Sequence, residues 1–290
     1  NWTRIKNNLP PAPVYWISLQ EHFDDMVIGT YGRGFYILDD ISPFRELADA
    51  NKEKVNFMPV QDAYRFQTIQ SMKNDGASLI RGQNPAYGAN LDFFLPDTNR
   101  KKISIVIQDM KGNKIIKLTP SKTTEGVNRV MWNLRYEKSD TPKLRVNPSG
   151  VDWVTYNDDG WRPLRTWDID VNSGKLGPKA VPGNYKATLN VEGEEFTQSF
   201  AVLKDPNTSG TIKDIKAQFQ FLMILRETIN ENVALINKIE DLRHSLQNDY
   251  NTRDEEKAAR DMDLRLYEIE SHLFDVKLTA LISPTLIRLP

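Results

Sequence analysis

Pairs of adjacent carboxylates are the residues of this chain whose type best suits acid–base chemistry: Asp24-Asp25, Asp39-Asp40 and Asp158-Asp159. A glycosidase needs two carboxyl groups about 5–5.5 Å apart if it retains the sugar configuration, or about 6.5–9.5 Å apart if it inverts it. Neighbouring residues of a regular strand point to opposite faces. In a regular strand Asp39 and Asp40 therefore cannot form such a pair, and we expect them to end a strand and cap the next turn.

Other catalytic signals are sparse. None of the three histidines, His22, His244 and His272, has a Glu or a second His three or four residues after it, as a helical metal site would require. The chain has no Cys, which excludes disulfides, thiol catalysis and cysteine–zinc sites within it. The Gly-x-Ser-x-Gly elbow, the phosphate-binding loop and the dinucleotide fingerprint do not occur. The sequence therefore predicts no catalytic residue, metal or cofactor, and leaves enzymatic activity undecided.

Aromatic residues are concentrated in the segment 137–179, which Gly and Pro interrupt. Aromatic rings on a loop can stack on a sugar or contact a protein. Alternatively, they anchor the segment by folding back over a sheet, because a long loop needs apolar anchors of its own. A glycine-rich turn near the N-terminus holds an arginine that either faces a ligand or braces the turn through a salt bridge. The predicted ligand-binding residues are Trp153, Tyr156, Trp161, Trp167 and Arg33.

A β-hairpin is predicted for residues 26–40, MVIGTYGRGFYILDD. Two short apolar runs, the second rich in β-branched and aromatic residues, flank a turn that contains Gly32 and Gly34. Glycine accepts positive φ, so the chain can reverse direction within a few residues. The segment 1–45 is therefore organised around this turn.

This segment resembles the last blade of a bacterial β-propeller with BNR or sortilin-like (VPS10-type) repeats. That blade has a Trp, a Leu-Pro, a short strand, a Gly-Thr-x-Gly-Arg-Gly turn and an aromatic strand ending in Asp-Asp. Here these are Trp2, Leu9-Pro10 and residues 15–19, 29–34 and 35–40. The resemblance implies a bacterial protein that is secreted, periplasmic or on the cell surface. Because a blade buries its faces against neighbouring blades, the remaining blades or a partner protein are the expected partners.

From residue 89 the apolar residues alternate with a period of two, and several short strands at this spacing predict a β-sandwich. Two stretches, residues 126–133 with Trp132 and residues 181–185 with Pro-Gly-Asn-Tyr, are similar to the Ig-like domain of bacterial surface proteins and the flagellar hook-capping family. The resemblance implies a spacer or binding module without catalytic residues. Trp132 lies on the same side of its strand as the other apolar residues, and we therefore expect it in the core.

After residue 211 the apolar residues recur at intervals of three or four, which predicts an antiparallel α-helical hairpin. The predicted seam of its second helix includes Met262, Leu266, Ile269 and Leu273. Three apolar residues of the first helix lie partly outside its row of regularly spaced apolar residues, which suggests a further contact with the sandwich. They are Phe221, Ile224 and Leu235. Residues 137–179 interrupt the sandwich as an insertion.

The balance of 38 basic and 39 acidic residues provides no broad positive field for nucleic acid, and no apolar run reaches the roughly 18 residues of a membrane span. We predict a mainly β plus α chain with a terminal propeller blade (1–50), an Ig-like β-sandwich (51–206) and a helical hairpin (207–290). The predicted function is a non-catalytic assembly or binding region of a secreted or cell-surface β-propeller protein, with a protein or glycan as ligand. The alternatives are a glycosyl hydrolase-like (BNR repeat) enzyme whose active site lies on other blades, and a scaffold whose hairpin docks a partner helix.

Overall fold

The computed structural model describes residues 9–49, 54–66, 85–99, 102–148, 154, 156–162 and 176–274. It is a mixed β and α structure with several sheets and a C-terminal pair of helices. The chain divides into two compact units. The first unit comprises residues 1–134 and 182–209, and the second comprises residues 135–181 and 210–290.

A three-stranded antiparallel sheet opens the first unit, in the order β1 (Val14–Gln20), β2 (Asp25–Thr30) and β3 (Phe35–Leu38). The turn between β2 and β3 has Gly32 at φ +70° and Gly34 at φ +79°, which confirms the predicted hairpin. The Thr30 hydroxyl closes the turn by donating a 2.7 Å hydrogen bond to the Gly34 carbonyl. A short helix, α1 (Ser42–Asp49), follows.

The other two sheets of the first unit contain five and three strands. The five-stranded sheet has the order β5-β11-β10-β7-β8, in which only β5 and β11 run parallel. The three-stranded sheet has the order β4-β6-β9. These strands are β4 (Asn56–Phe57), β5 (Ala63–Arg65), β6 (Ala89–Leu95), β7 (Ile103–Asp109), β8 (Lys114–Leu118), β9 (Gly126–Trp132), β10 (Gly183–Val191) and β11 (Glu194–Lys204).

The core of the first unit lies between these two sheets. Trp132 of β9 is fully buried and makes edge contacts with the rings of Tyr185 and Phe200, with centroids 5.5 and 5.9 Å away. Its predicted place in the core is confirmed. Strand β6 differs from the simple alternation, because Asp92 and Phe94 are buried as well as Leu91, Phe93 and Leu95. The second face of β6 is therefore also covered, and it carries a buried charge.

The second unit is built on two helices, α2 (Ile212–Asn248) and α3 (Arg253–Leu273). Each begins with a capping box, formed by Thr211 with Asp214 and by Thr252 with Glu255. In each box the threonine hydroxyl accepts a backbone N–H of the first turn, and the acidic side chain accepts the threonine N–H, so two otherwise unpaired donors are satisfied. The predicted pair of helices is confirmed.

The predicted seam between the helices is wrong in detail. Met262 and Ile269 are 50% and 51% exposed, whereas Glu240, Arg243 and Glu270 are buried. Arg243 donates to Glu270 at 2.6 Å and to Asp263 at 2.7 Å. The face of α3 that packs on α2 is thus the one that carries charge, and the periodicity of the apolar residues could not reveal it.

The described part of the predicted insertion lies along α2. The backbone N–H groups of Asp140 and Lys143 donate to the side-chain oxygens of Asn230 and Asn237, at 2.9 and 2.7 Å. Asn230 and Asn237 are seven residues apart, which is about 10 Å along a helix, and Asp140 and Lys143 are three residues apart, which is about 10 Å along an extended chain. The extended segment can therefore run alongside α2 and form both hydrogen bonds. This part of the insertion therefore belongs to the second unit, where these hydrogen bonds and the buried side chains of Leu144 and Val146 hold it.

We expect Thr211→Ala to destabilise the second unit by about 1 kcal/mol, because it removes the hydroxyl that accepts the Asp214 N–H. Hydrogen exchange in the first turn of α2 measures the effect. Thr228→Ala is the matched control, since the Thr228 hydroxyl only bonds back to Ile224 within the same helix and should be nearly neutral. Equal effects of the two substitutions would contradict the role of the capping box.

Candidate functional site

The first feature with functional potential is the exposed apolar surface of the β1-β2-β3 sheet. All seven residues of β1 are exposed, and Trp16 is 74% exposed. Phe35 of β3 is 83% exposed. Successive side chains of a strand point to opposite faces, so both faces of β1 present apolar side chains to solvent. Exposed apolar surface of this kind marks a site of interaction.

The second feature is a cavity of about 670 Å³ in the first unit. Aromatic side chains form much of its wall. The rings of Tyr64 and Phe66 stack at 5.3 Å, and Phe23 meets Tyr64 edge-on at 6.1 Å. The Tyr87 hydroxyl donates to the Phe66 carbonyl at 3.4 Å. The volume lies in the range of small-molecule sites, which combine apolar walls with a few polar groups.

A salt-bridge network forms the polar floor of this cavity. Asp92 of β6 and Arg129 of β9 are directly paired across the two strands, and Arg129 donates to both Asp92 oxygens at 2.8 and 2.9 Å. The second donor of Arg129 also reaches Asp40 Oδ2 at 3.1 Å, and Asn90 donates to the same oxygen at 2.7 Å. Burial raises the pKa of Asp92, although the hydrogen bonds and charge of Arg129 act in the opposite direction. Arg129 is therefore engaged by carboxylates.

Asp40 has a structural role in this network. Its φ of +55° places it in the left-handed region, and its Oδ1 accepts the N–H and the hydroxyl of Ser42 where α1 begins. This confirms the predicted capping role for Asp40. Its other carboxylate oxygen is occupied by Arg129 and Asn90, so Asp40 is placed for structure and not for proton transfer.

Two further carboxylates line the cavity without a salt bridge to any Lys or Arg in the described ranges, Asp25 and Asp39. Asp25 accepts the Asp40 N–H at 3.0 Å. Burial raises the pKa of Asp39, and the nearby charge of Asp25 raises it further. The neighbouring Asp24 is neutralised by Arg45 at 2.9 Å and accepts a hydrogen bond from Gln61 at 3.0 Å. The cavity thus has a local excess of negative charge.

The residues predicted to bind ligand fall in both units. Arg33 is exposed in the β2–β3 turn and forms no salt bridge within the described part of the chain. In the second unit, the Arg145 guanidinium lies 4.5 Å and the Lys143 ammonium 5.4 Å from the centroid of Trp161. The Tyr156 hydroxyl donates to Asn147 at 2.8 Å or to the Arg145 carbonyl at 3.0 Å. Trp153 and Trp167 lie outside the described residues, and ligand binding by the set stays a prediction.

Sequence reasoning named Asp25 only as a member of an adjacent carboxylate pair, and it did not single out Tyr64, Phe66 or Arg129. These four residues come from three segments that are distant in sequence and converge only when the strands pair. One signal was present: a charged residue, Asp92, inside the apolar run 91–95. A buried carboxylate requires a partner, but only the strand register identifies Arg129 as that partner.

No family model, curated protein or solved structure compared with the chain matches it. Across the described ranges, no cluster of three or more His, Asp and Glu side chains is arranged to hold a metal ion. No helix in those ranges has both the length and the apolar character needed to cross a membrane.

Proposed function

We propose that this chain is a non-catalytic assembly and binding region of a secreted or cell-surface β-propeller protein, in which the β1-β2-β3 sheet is the last blade. The observation that carries the proposal is the exposure of apolar side chains on both faces of β1. The occupant of each face is the apolar sheet of a neighbouring propeller blade.

Two-sided exposure favours a blade over an ordinary docking surface. A partner that binds one face of a sheet contacts only every second residue of each strand, so only those residues need to be apolar. After the register shift between Val14 and Trp16, the exposed Ile17 and Leu19 lie on one face of β1 and the exposed Trp16 lies on the other. A blade inside a propeller has a neighbouring blade on each side, so it needs apolar side chains on both faces of its strands. The turn 29–34 and the Asp-Asp ending of the aromatic strand, Asp39-Asp40, add the sequence resemblance to this argument.

The remaining sheets of the first unit fit an Ig-like spacer. Two sheets bury Trp132 of β9 between them, against Tyr185 of β10 and Phe200 of β11. Strands β9 and β10 contain the two stretches that carry the resemblance. In this proposal the spacer and the second unit present binding surface to a protein or a glycan, while the blade attaches them to the propeller.

Photo-crosslinking in the producing cell tests the proposal. A photoreactive amino acid at position 16 and another at position 17 sample opposite faces of β1. Both are expected to crosslink to propeller sheet, in the same polypeptide or in a separate one, as identified by mass spectrometry. Position 117, an exposed lysine of β8, is the control and should give no such product. Crosslinks from only one of the two positions, or none to a propeller sheet, would overturn the blade assignment.

Charge substitution gives the corresponding quantitative prediction. Trp16→Glu and Ile17→Lys should each lower the fraction of chain associated with propeller at least about tenfold, because an unpaired charge in a desolvated contact costs more than about 1.4 kcal/mol. Circular dichroism checks that the variants remain folded. Lys117→Glu changes charge at an exposed site and should leave the association unchanged. An unchanged fraction in both β1 variants would contradict the proposed docking.

A further inference from the structure

The geometry of the cavity in the first unit points to a binding site for an organic cation, a primary alkylammonium or guanidinium group. Phe23, Asp25 and Asp39 belong to the β1-β2-β3 sheet or directly follow it, but the inference rests on the lining of the cavity and not on the exposed faces of β1. Its features are a volume of about 670 Å³, a wall of stacked aromatic rings and two carboxylates with no salt-bridge partner among the described residues.

The aromatic wall suits a cation. Tyr64 and Phe66 are nearly parallel, with 15° between their ring planes, and Phe23 packs edge-on against Tyr64. The face of an aromatic ring carries negative charge density, so it attracts an ammonium or guanidinium group placed within about 6 Å of its centroid. The same rings also offer apolar surface to the alkyl chain that bears the charge.

The charge of the lining selects a cation over an anion. Arg129, the arginine that lines the cavity, is bound to Asp92 and Asp40. Asp25 and Asp39 remain without a salt bridge in the described ranges. Burial raises the pKa of Asp39, and repulsion by the nearby charge of Asp25 raises it further, while the charge of Arg129 acts in the opposite direction. A cation between them would relieve this repulsion. The bound cation would also donate a hydrogen bond to the Asp39 carboxylate, which no Lys or Arg side chain among the described residues does.

The ligand is organic. A bound metal ion needs several ligating side chains around one point, and the described residues contain no such cluster. An alkylammonium or guanidinium group instead uses one or two carboxylates for its charge and the rings for its stem. Asp25 and Asp39, together with Tyr64 and Phe66, supply this combination.

Titration of the 290-residue chain with agmatine, which carries an ammonium and a guanidinium group, tests the inference. Binding is followed by calorimetry and by NMR shifts of the tyrosine and aspartate signals. We expect saturable binding that weakens as salt is added. A lysine-containing peptide in a second titration distinguishes a peptide side chain from a free amine as the source of the cation. A neutral oligosaccharide in a third titration should not bind at this cavity.

Two variants and a control locate the site. Asp39→Asn should weaken agmatine binding about tenfold or more, because it removes a charge-assisted contact. Tyr64→Ala should weaken it severalfold through loss of the ring face. Asp261→Asn makes the same charge change on an exposed face of α3 and should leave binding unchanged. Absence of saturable binding of both cationic probes, equal binding by the neutral sugar, or an Asp39→Asn variant that binds as well as the parent would overturn the inference.

Discussion

Glu240→Ala is expected to destabilise the second unit by about 3–5 kcal/mol, the range for breaking a buried ion pair. Glu240 is fully buried, and its Oε1 receives the Arg162 guanidinium at 3.3 Å, with both side chains inaccessible to solvent. Its Oε2 accepts the backbone N–H groups of Arg145 and Val146, at 2.5 and 2.8 Å. Removing the carboxylate would take one buried acceptor from the Arg162 guanidinium and would remove the acceptor of the Arg145 and Val146 N–H groups.

Urea unfolding and hydrogen exchange at Arg145 and Val146 measure this effect. Exchange at these two amides should accelerate more than exchange in the β7 and β10 strands, because the lost acceptor is local to the second unit. Glu227→Ala is the matched control on an exposed position of α2 and should change stability by less than about 0.5 kcal/mol. If Glu240→Ala unfolds with the parental midpoint, the buried network does not hold the segment 140–148 on the helix.

The second large effect is a fall in the stability of the second unit as pH rises from about 4.5 to about 7. Burial raises the pKa of Glu270 to about 7 from an ordinary value of 4.5, helped by a hydrogen bond to Glu240 and the charge of Glu240, while Arg243 acts in the opposite direction. Arg243 reaches Glu270 Oε2 at 2.6 Å, whereas no described donor reaches Oε1. A hydrogen bond between two carboxyl groups needs one shared proton, and the raised pKa of Glu270 places that proton on Glu270.

The sign follows from proton binding. Between pH 4.5 and pH 7 the folded state keeps the Glu270 proton that the unfolded state has released, so rising pH favours unfolding. The contribution of Glu270 to the free energy of unfolding is fully present below pH 4.5 and is lost as the pH rises through about 7. Its size is on the order of 3 kcal/mol, because each unit of pKa shift corresponds to about 1.4 kcal/mol. The charged groups that face Glu270 are Glu240 and Arg243 of α2, with Arg162 and Asp263 nearby in the same network.

Glu270→Gln isolates this contribution. The amide mimics the protonated acid, since it can donate to Glu240 and accept from Arg243. We expect the variant to match the parent near pH 4.5 and to exceed its stability above pH 7, as measured by urea unfolding across this pH range. Glu268→Gln, at an exposed position two residues away, should keep the parental pH profile. A parental profile in Glu270→Gln would show that Glu270 does not carry the dependence.

Local features were predictable because they depend on residues close in sequence. The β2–β3 turn follows from Gly32 and Gly34, which adopt the positive φ that few other residues accept. The helical pair follows from its three-four periodicity, and Trp132 is in the core because strand parity places it there. The capping role of Asp40 followed from its position between a strand and a helix start.

Features that require pairing between distant segments were not predictable. Met262 and Ile269 fit the apolar period of α3, yet the buried residues of this helix are Ala259 and Glu270. Glu270 is buried because it pairs with Arg243 of the other helix. Likewise, Asp92 was visible as a charge inside an apolar strand, but its partner Arg129 is set by the β6–β9 register.

The sequence by itself thus determined the elements: the glycine hairpin, the alternating strands, the pair of helices and the absence of thiol chemistry. Their determinants are short-range, since φ preference, side-chain parity and capping involve residues a few positions apart. Only the tertiary structure decided which charges are buried together and where a cavity opens between strands. Those outcomes depend on the register and on the desolvation of groups as far apart in sequence as Asp40 and Arg129, or Arg162 and Glu240.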